Sequence, residues 1–237
     1  MSDQPKLRFG SADLALPDEI RAPLVEHLEQ LRARYLQRGW GARVGMGKSP
    51  ALIVIDLALF WTRPDGQIGT ETDSIVEATC AILDAARFAR IPIYFTSFAW
   101  DPDDPPSPQN RKLVLNVKPG DEDQFELDER LNRQAGEKLI RKRYASAFKG
   151  TNLHEMLASQ GVDTLIVTGV STSHCVYATC RDATDSFRVI VPEEAVGERC
   201  EIMHRVNLLD IDIDLGDVMP VAEVTKQLRD LPIDRIC

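Results

Sequence analysis

Two hydrophobic periods divide the chain near Pro50. After Pro17-Asp18, Leu24, Leu28, Leu31 and Tyr35 recur at helical spacing and predict one amphipathic helix, which the glycines at 39, 41, 45 and 47 bring to an end. Residues 1–17 are polar and loop-like, so residues 1–48 read as an arm. Its apolar stripe needs a partner surface, on its own domain or on a neighbouring subunit. From residue 49 to 237 short apolar runs alternate with helical spacing. Residues 51–56 (ALIVID) predict a buried parallel strand, followed by a helix opened by a capping-box sequence at Ser74 to Glu77. Further strands are expected at 91–98, 138–142, 164–169, 187–191 and 217–221, with helices at 152–159 and 173–186. Strands alternating with helices imply a three-layer α/β/α domain with a mostly parallel six-stranded sheet. The Pro- and Asp-rich stretch that starts at Asp101 and runs irregularly to about Arg130 has the length of an active-site lid.

Composition narrows the function more than the fold. The chain has 237 residues, 43% hydrophobic and 27% charged, enough for one domain with a proper core. A net charge of -9 argues against nucleic acid or an anionic membrane as the main partner, but not against a small anionic substrate in a locally cationic site. The N-terminus lacks the apolar core of a secretory signal. The five cysteines are odd in number and lack metal-type pairing, which fits reduced thiols and a cytoplasmic location. No nucleotide-binding glycine motif is present, and no cofactor is expected.

In parallel α/β sheets chemistry gathers beyond the carboxyl ends of the strands. Asp56, Lys142 and Cys175 each stand at or just after such an end. Cys175 lies in the turn G-V-S-T-S-H-C, where a helix dipole is expected to lower a thiol pKa. A cysteine there is equally a small buried apolar residue, an aspartate at a strand end is often a cap, and cationic runs are usually solvated; taken singly, the three residues leave those readings open. As a set they make chemical sense: Asp takes the thiol proton and later returns it to the leaving amine, and Lys stabilises thiolate and carboxylate.

Three blocks, A-L-I-V-I-D (51–56), K-R-Y-A-S-A-F-K-G-T-N-L (142–153) and T-G-V-S-T-S-H-C-V-Y-A-T (168–179), resemble the isochorismatase-like cysteine hydrolases. Within that superfamily the N-terminal entry at 35–52 and the segment at 203–218 are similar to N-carbamoylsarcosine and maleamate amidohydrolases, with biuret-type hydrolases nearby. The resemblance implies an Asp56–Lys142–Cys175 triad acting through a covalent acyl-enzyme. It also implies a cis peptide between Val170 and Ser171, and an oxyanion hole made by the amides of Ser171 and Cys175. It places Arg199 where a relative's arginine holds a substrate carboxylate, an ordinary ion pair being the other reading of that residue. Trp61, Phe187 and Leu215 fall at pocket positions that depart from the family's usual residues. The D-x-H…H metal pattern of nicotinamidases is missing after the second strand, so no metal is expected. A homo-oligomer, dimer or tetramer, is expected from the arm and the relatives' habits. A lactam or ester hydrolase with the same triad, or a binding module without turnover, are the alternatives.

Overall fold

Every residue of β1 (Pro50–Ile55) is buried, because a β-branched apolar run between two parallel neighbours has no face left for water. The computed structural model describes residues 14–99, 103, 107–109, 111–112, 117 and 120–232. Residues 1–13 of the expected N-terminal loop, much of the expected lid and Cys237 lie outside the described residues.

Along the chain come α1 (Asp18–Gln37), β1, α2 (Leu59–Thr62), α3 (Asp73–Phe88), β2 (Ile93–Phe98), β3 (Lys138–Lys142) and α4 (Leu153–Ser159). They are followed by β4 (Thr164–Val170), α5 (Tyr177–Ala183), β5 (Arg188–Pro192), β6 (Val196–Gly197), α6 (Glu201–Asp210), β7 (Asp217–Met219) and α7 (Val221–Arg229). Among the described residues the strands form one parallel sheet in the order β3-β2-β1-β4-β5-β7, with two-residue β6 beside the end of β4. The mostly parallel three-layer sheet expected from the alternation is borne out, with β6 as an added strand too short to carry a pattern.

The two-residue period of the strands divides the core in two. Ile53, Ile55, Leu165 and Val167 point to the layer of α4, α5 and α6. Leu52, Val54 and Ile166 point to that of α3 and α7. The order reverses between β1 and β4. The chain leaves β1 toward β2 and β3 on one side and leaves β4 toward β5 on the other, which opens a crevice at their carboxyl ends. Gly169 lets the two strands approach there, since at its φ of 105° a Cβ would strike the carbonyl oxygen of Ile55.

Several local expectations are corrected. Helix α3 starts at Asp73 rather than Ser74, and its cap residue Thr72 makes no side-chain cap hydrogen bond. The helix expected at 173–186 is a π-turn, Thr172–Val176, followed by the seven residues of α5. The strand expected at 217–221 stops at Met219, because Pro220 cannot extend it and instead starts α7. Helix α1 forms as expected but buries none of its residues completely. Arg21 and Arg32 tie it to Glu201 and Asp212 on and after α6. No helix among the described residues is long and apolar enough to cross a membrane.

Candidate active site

Asp56 ends β1 in a left-handed conformation, φ 51°, which turns its carboxylate back over the end of the sheet. Such a backbone costs about 1–2 kcal/mol for most residues, and Asp tolerates it better than β-branched neighbours would. Thr96 on β2, fully buried, fixes the carboxylate by donating its hydroxyl to Oδ1 at 2.7 Å while accepting from the Asp56 amide at 3.1 Å.

Lys142 reaches the same point from β3, two strands away. Strand spacing makes that a span of roughly 10 Å, which a lysine and an aspartate cover together. Alternation along β3 buries Ile140 and Lys142 and exposes Arg141, which binds the Phe125 carbonyl and Glu126 instead. The Lys142 ammonium sits 2.7 Å from Asp56 Oδ2 and 3.3 Å from Cys175 Sγ, and donates to the Tyr144 carbonyl at 3.1 Å. Burial pulls its pKa down, but the Asp56 charge and the thiol outweigh this, and the net direction is up. The group stays charged at any ordinary pH.

Cys175 is carried by the π-turn after β4. Its thiol is pushed up to about 12, by burial first and then by the Asp56 carboxylate, against the opposing pull of Lys142. The sequence expectation of a dipole-activated thiol is therefore corrected. The sulfur lies inside a π-turn, not in the first turn of a long helix, and the nearby carboxylate holds the proton on it. The peptide between Val170 and Ser171, at the start of this turn, is cis.

The turn is tied on both sides, through contacts that the sequence pattern does not reveal. Thr172 Oγ1 donates to the Gly197 carbonyl at 3.0 Å and meets His204 Nδ1 at 2.8 Å. Glu198, 3% exposed, accepts from the Ser173 amide at 3.1 Å and hydroxyl at 2.6 Å. Burial opposes ionisation of Glu198, yet nearby His174, the hydrogen bonds from Ser173 and the Arg199 charge bring it down to about 2. Burial and the Arg205 charge bring His204 down to about 4, so its imidazole is neutral. Both residues sit in a stretch, 196–204, where charged residues adjoin a two-residue strand; a buried Glu there has no sequence signature apart from its place next to Arg199.

The remaining expected site residues divide. Arg199 follows β6, whose Gly197 pairs with Val170, so it stands at the same end of the sheet as the cis peptide. Its guanidinium is 3.9 Å from Glu198 Oε1 and its side chain 38% exposed. Trp61 lies on α2, just beyond Asp56, half-buried with its ring edge-on to Phe60 at 6.2 Å. Phe187 and Leu215 are not brought to the site, and these two pocket expectations are corrected. Phe187 precedes β5 at the amino end of the sheet, in the core and stacked on Phe148 at 6.2 Å. Leu215 precedes β7 in the same core, and its carbonyl accepts from Thr184 at the end of α5.

A cavity of about 810 Å³ opens elsewhere, between α1 and α6, where Arg21, Leu28, Arg32, Glu201, His204 and Leu208 are among its lining residues. It contains none of the three residues Asp56, Lys142 and Cys175. The proximity of a carboxylate, an ammonium and a thiol at the crevice between β1 and β4, rather than cavity volume, marks the candidate site.

Residues 50–223 match the isochorismatase domain. The chain is 37% identical over 223 residues to an N-carbamoylsarcosine amidase from an Arthrobacter species, covering 90% of this chain and 84% of that one. It is 36% identical over 200 residues to a maleamate amidohydrolase from Pseudomonas putida, covering 81% and 92%. Its fold is similar to the crystal structure of a cysteine hydrolase from Pseudomonas syringae pv. phaseolicola, with a TM-score of 0.72 at 24% identity over 80% of this chain and 97% of that one.

Proposed function

The chain belongs to the isochorismatase-domain family, and on that premise we propose that it is a cysteine-dependent amidohydrolase cleaving a C–N bond of a small linear amide or ureide. The observation that carries the reading is one ammonium held between a buried carboxylate and a thiol, Lys142 at 2.7 Å from Asp56 and 3.3 Å from Cys175. The names of the amidohydrolase relatives support the bond type, and N-carbamoyl amino acids, maleamate and biuret are the substrate types to try.

Cys175 attacks the amide or ureide carbon as Asp56 accepts the thiol proton, forming the C–S bond and placing the carbonyl electron pair on oxygen. Burial and the Asp56 carboxylate push the thiol up, which favours this coupling: the thiolate forms as attack and proton transfer occur together. The amides of Ser171 and Cys175 are the proposed donors to the oxyanion. Asp56 then gives the proton to the departing nitrogen, and ammonia leaves as the C–N bond breaks. Water, deprotonated by Asp56, hydrolyses the acyl-enzyme and restores the thiol. Lys142 keeps its proton throughout and balances whichever partner is negative.

Arg199 is the proposed carboxylate clamp, and Trp61 a wall of the pocket. On this reading residues 49–237 are the hydrolase unit and 1–48 the arm of a cytoplasmic homo-oligomer, dimer or tetramer. The test is ammonia release from N-carbamoylsarcosine, maleamate and biuret by wild type and by Cys175→Ser. Release from at least one, abolished in the variant, is expected. Equal release by Cys175→Ser excludes the mechanism.

A further inference from the structure

Between the nucleophile turn and Arg199 stands one carboxylate that the chemistry above does not use. We propose that Glu198 is a positioning residue: Oε2 holds the turn bearing the thiol and the proposed oxyanion donors, Oε1 holds Arg199, and one buried group sets both in register. The proposal rests on the hydrolase reading for its consequence, but on geometry for its content.

The geometry is specific about charge. Oε2 accepts from the Ser173 amide at 3.1 Å and the Ser173 hydroxyl at 2.6 Å, with His174 Nδ1 at 3.7 Å. Oε1 accepts from the Arg199 amide at 3.0 Å, and the Arg199 guanidinium lies 3.9 Å away. Every neighbour is a donor, and an ionised carboxylate is the side chain that accepts on both sides at once. Because Ser173 spends its hydroxyl proton on Glu198, it accepts from His174 Nδ1 at 2.7 Å, which draws the residue next to Cys175 into the same chain. On the other side of the turn, Thr172 is bonded to Gly197 and His204. The turn is thus fastened through two consecutive residues, Thr172 and Ser173, to the segment that pairs β6 with β4. Glu198 itself makes no bond to Asp56, Lys142 or Cys175 in this network, so it acts through the turn.

A glutamine is isosteric but must present its NH2 group either to the Ser173 amide or to the Arg199 amide, setting donor against donor. Burying such a mismatch costs more than losing one hydrogen bond. The turn then loosens and the thiol parts from Asp56 and Lys142.

The experiment compares wild type, Glu198→Gln and Ser173→Ala by kcat and KM for ammonia release, by Tm, and by the pH dependence of iodoacetamide alkylation of Cys175. Glu198→Gln is expected to lower kcat about 100-fold while Tm falls by only a few degrees, the cost of the buried mismatch. The loosened turn exposes the thiol and so removes the main cause of its raised pKa; the alkylation midpoint should fall, and labelling at pH 8 should be faster even as hydrolysis is slower. Ser173→Ala should move both readouts the same way by less, and the double variant should be no worse than Glu198→Gln alone. A lower Tm with kcat and the alkylation midpoint unchanged reduces Glu198 to a structural ion and overturns the proposal. If wild type releases no ammonia from any substrate, the hydrolase reading fails, while the alkylation midpoints still decide the role of Glu198.

Discussion

Lys142 is buried between two groups that are both negative at some point in the proposed cycle, and its charge holds them together. Removing it leaves the Asp56 carboxylate buried without its cation, which costs about 3–5 kcal/mol in comparable pairs. Lys142→Met should therefore abolish ammonia release and lower stability by that order, measured by urea unfolding. At Arg199 a different signature is expected. A charged hydrogen bond to a substrate carboxylate contributes about 1.5–3 kcal/mol, so Arg199→Met should raise KM for an acid substrate about 10- to 100-fold and leave a neutral ureide nearly unaffected. Equal effects on both would remove the clamp. At this scale the sequence was informative where a residue broke a pattern. A carboxylate ending an apolar strand and a lysine at a buried register of β3 are visible as exceptions. Thr96 and Glu198 are not, since a threonine in a strand and a glutamate beside an arginine fit their local patterns and gain their roles only from contacts distant in sequence.

Elements carry the second kind of consequence, and α6 shows it best. It presents neutral His204 to Thr172, with the imidazole brought from 6.5 down to about 4. Between those values the unfolded chain binds a proton that the folded one does not, so stability rises with pH across the interval and is lost as pH falls from about 6.5 to 4. The contribution is on the order of 3 kcal/mol. Urea unfolding at pH 7.5 and 5.0 should show about 2 kcal/mol of that loss in wild type. His204→Asn, whose amide can still donate to Thr172, should flatten it. The central strands were legible as short apolar runs buried on both faces, and the edge strand β3, with its alternating burial, was legible residue for residue at Lys138–Lys142. No bounds were legible for α6 or α7, and α6, the setting of His204, exposes Ile202, Met203 and Val206 and so lacks a clean amphipathic stripe. Helix α5 was overextended because nothing in T-S-H-C-V separates a π-turn from an α-helix; the distinction is made by Glu198 and His204 on the far side of the turn.

For the whole molecule, topology decides where chemistry can occur. Reversal of strand order between β1 and β4 brings a residue at position 56 and one at 175 to the same crevice, and β3 supplies the third across β2. The alternation of strands and helices was enough to predict this mostly parallel sheet. The arm was legible as a separate helix but not as to what it covers. Ile20, Tyr35, Leu36 and Trp40 are all more than 40% exposed on or just after α1, which supports the proposed oligomer. Light scattering is expected to give a mass of two or four chains, and Trp40→Glu with Leu36→Glu to shift it toward one. A monomeric wild type would contradict the proposal.

The central claim is that Asp56 holds and moves the proton of Cys175. It is tested most directly on Asp56→Asn, by ammonia release and by alkylation of Cys175 in the same preparation at pH 8. The carboxylate both serves as the base and keeps the thiol protonated, so the variant should lose hydrolysis by about 1,000-fold or more while its thiol, left beside the Lys142 ammonium, alkylates faster than wild type. Hydrolysis within a few-fold of wild type, or a slower thiol, would contradict the account.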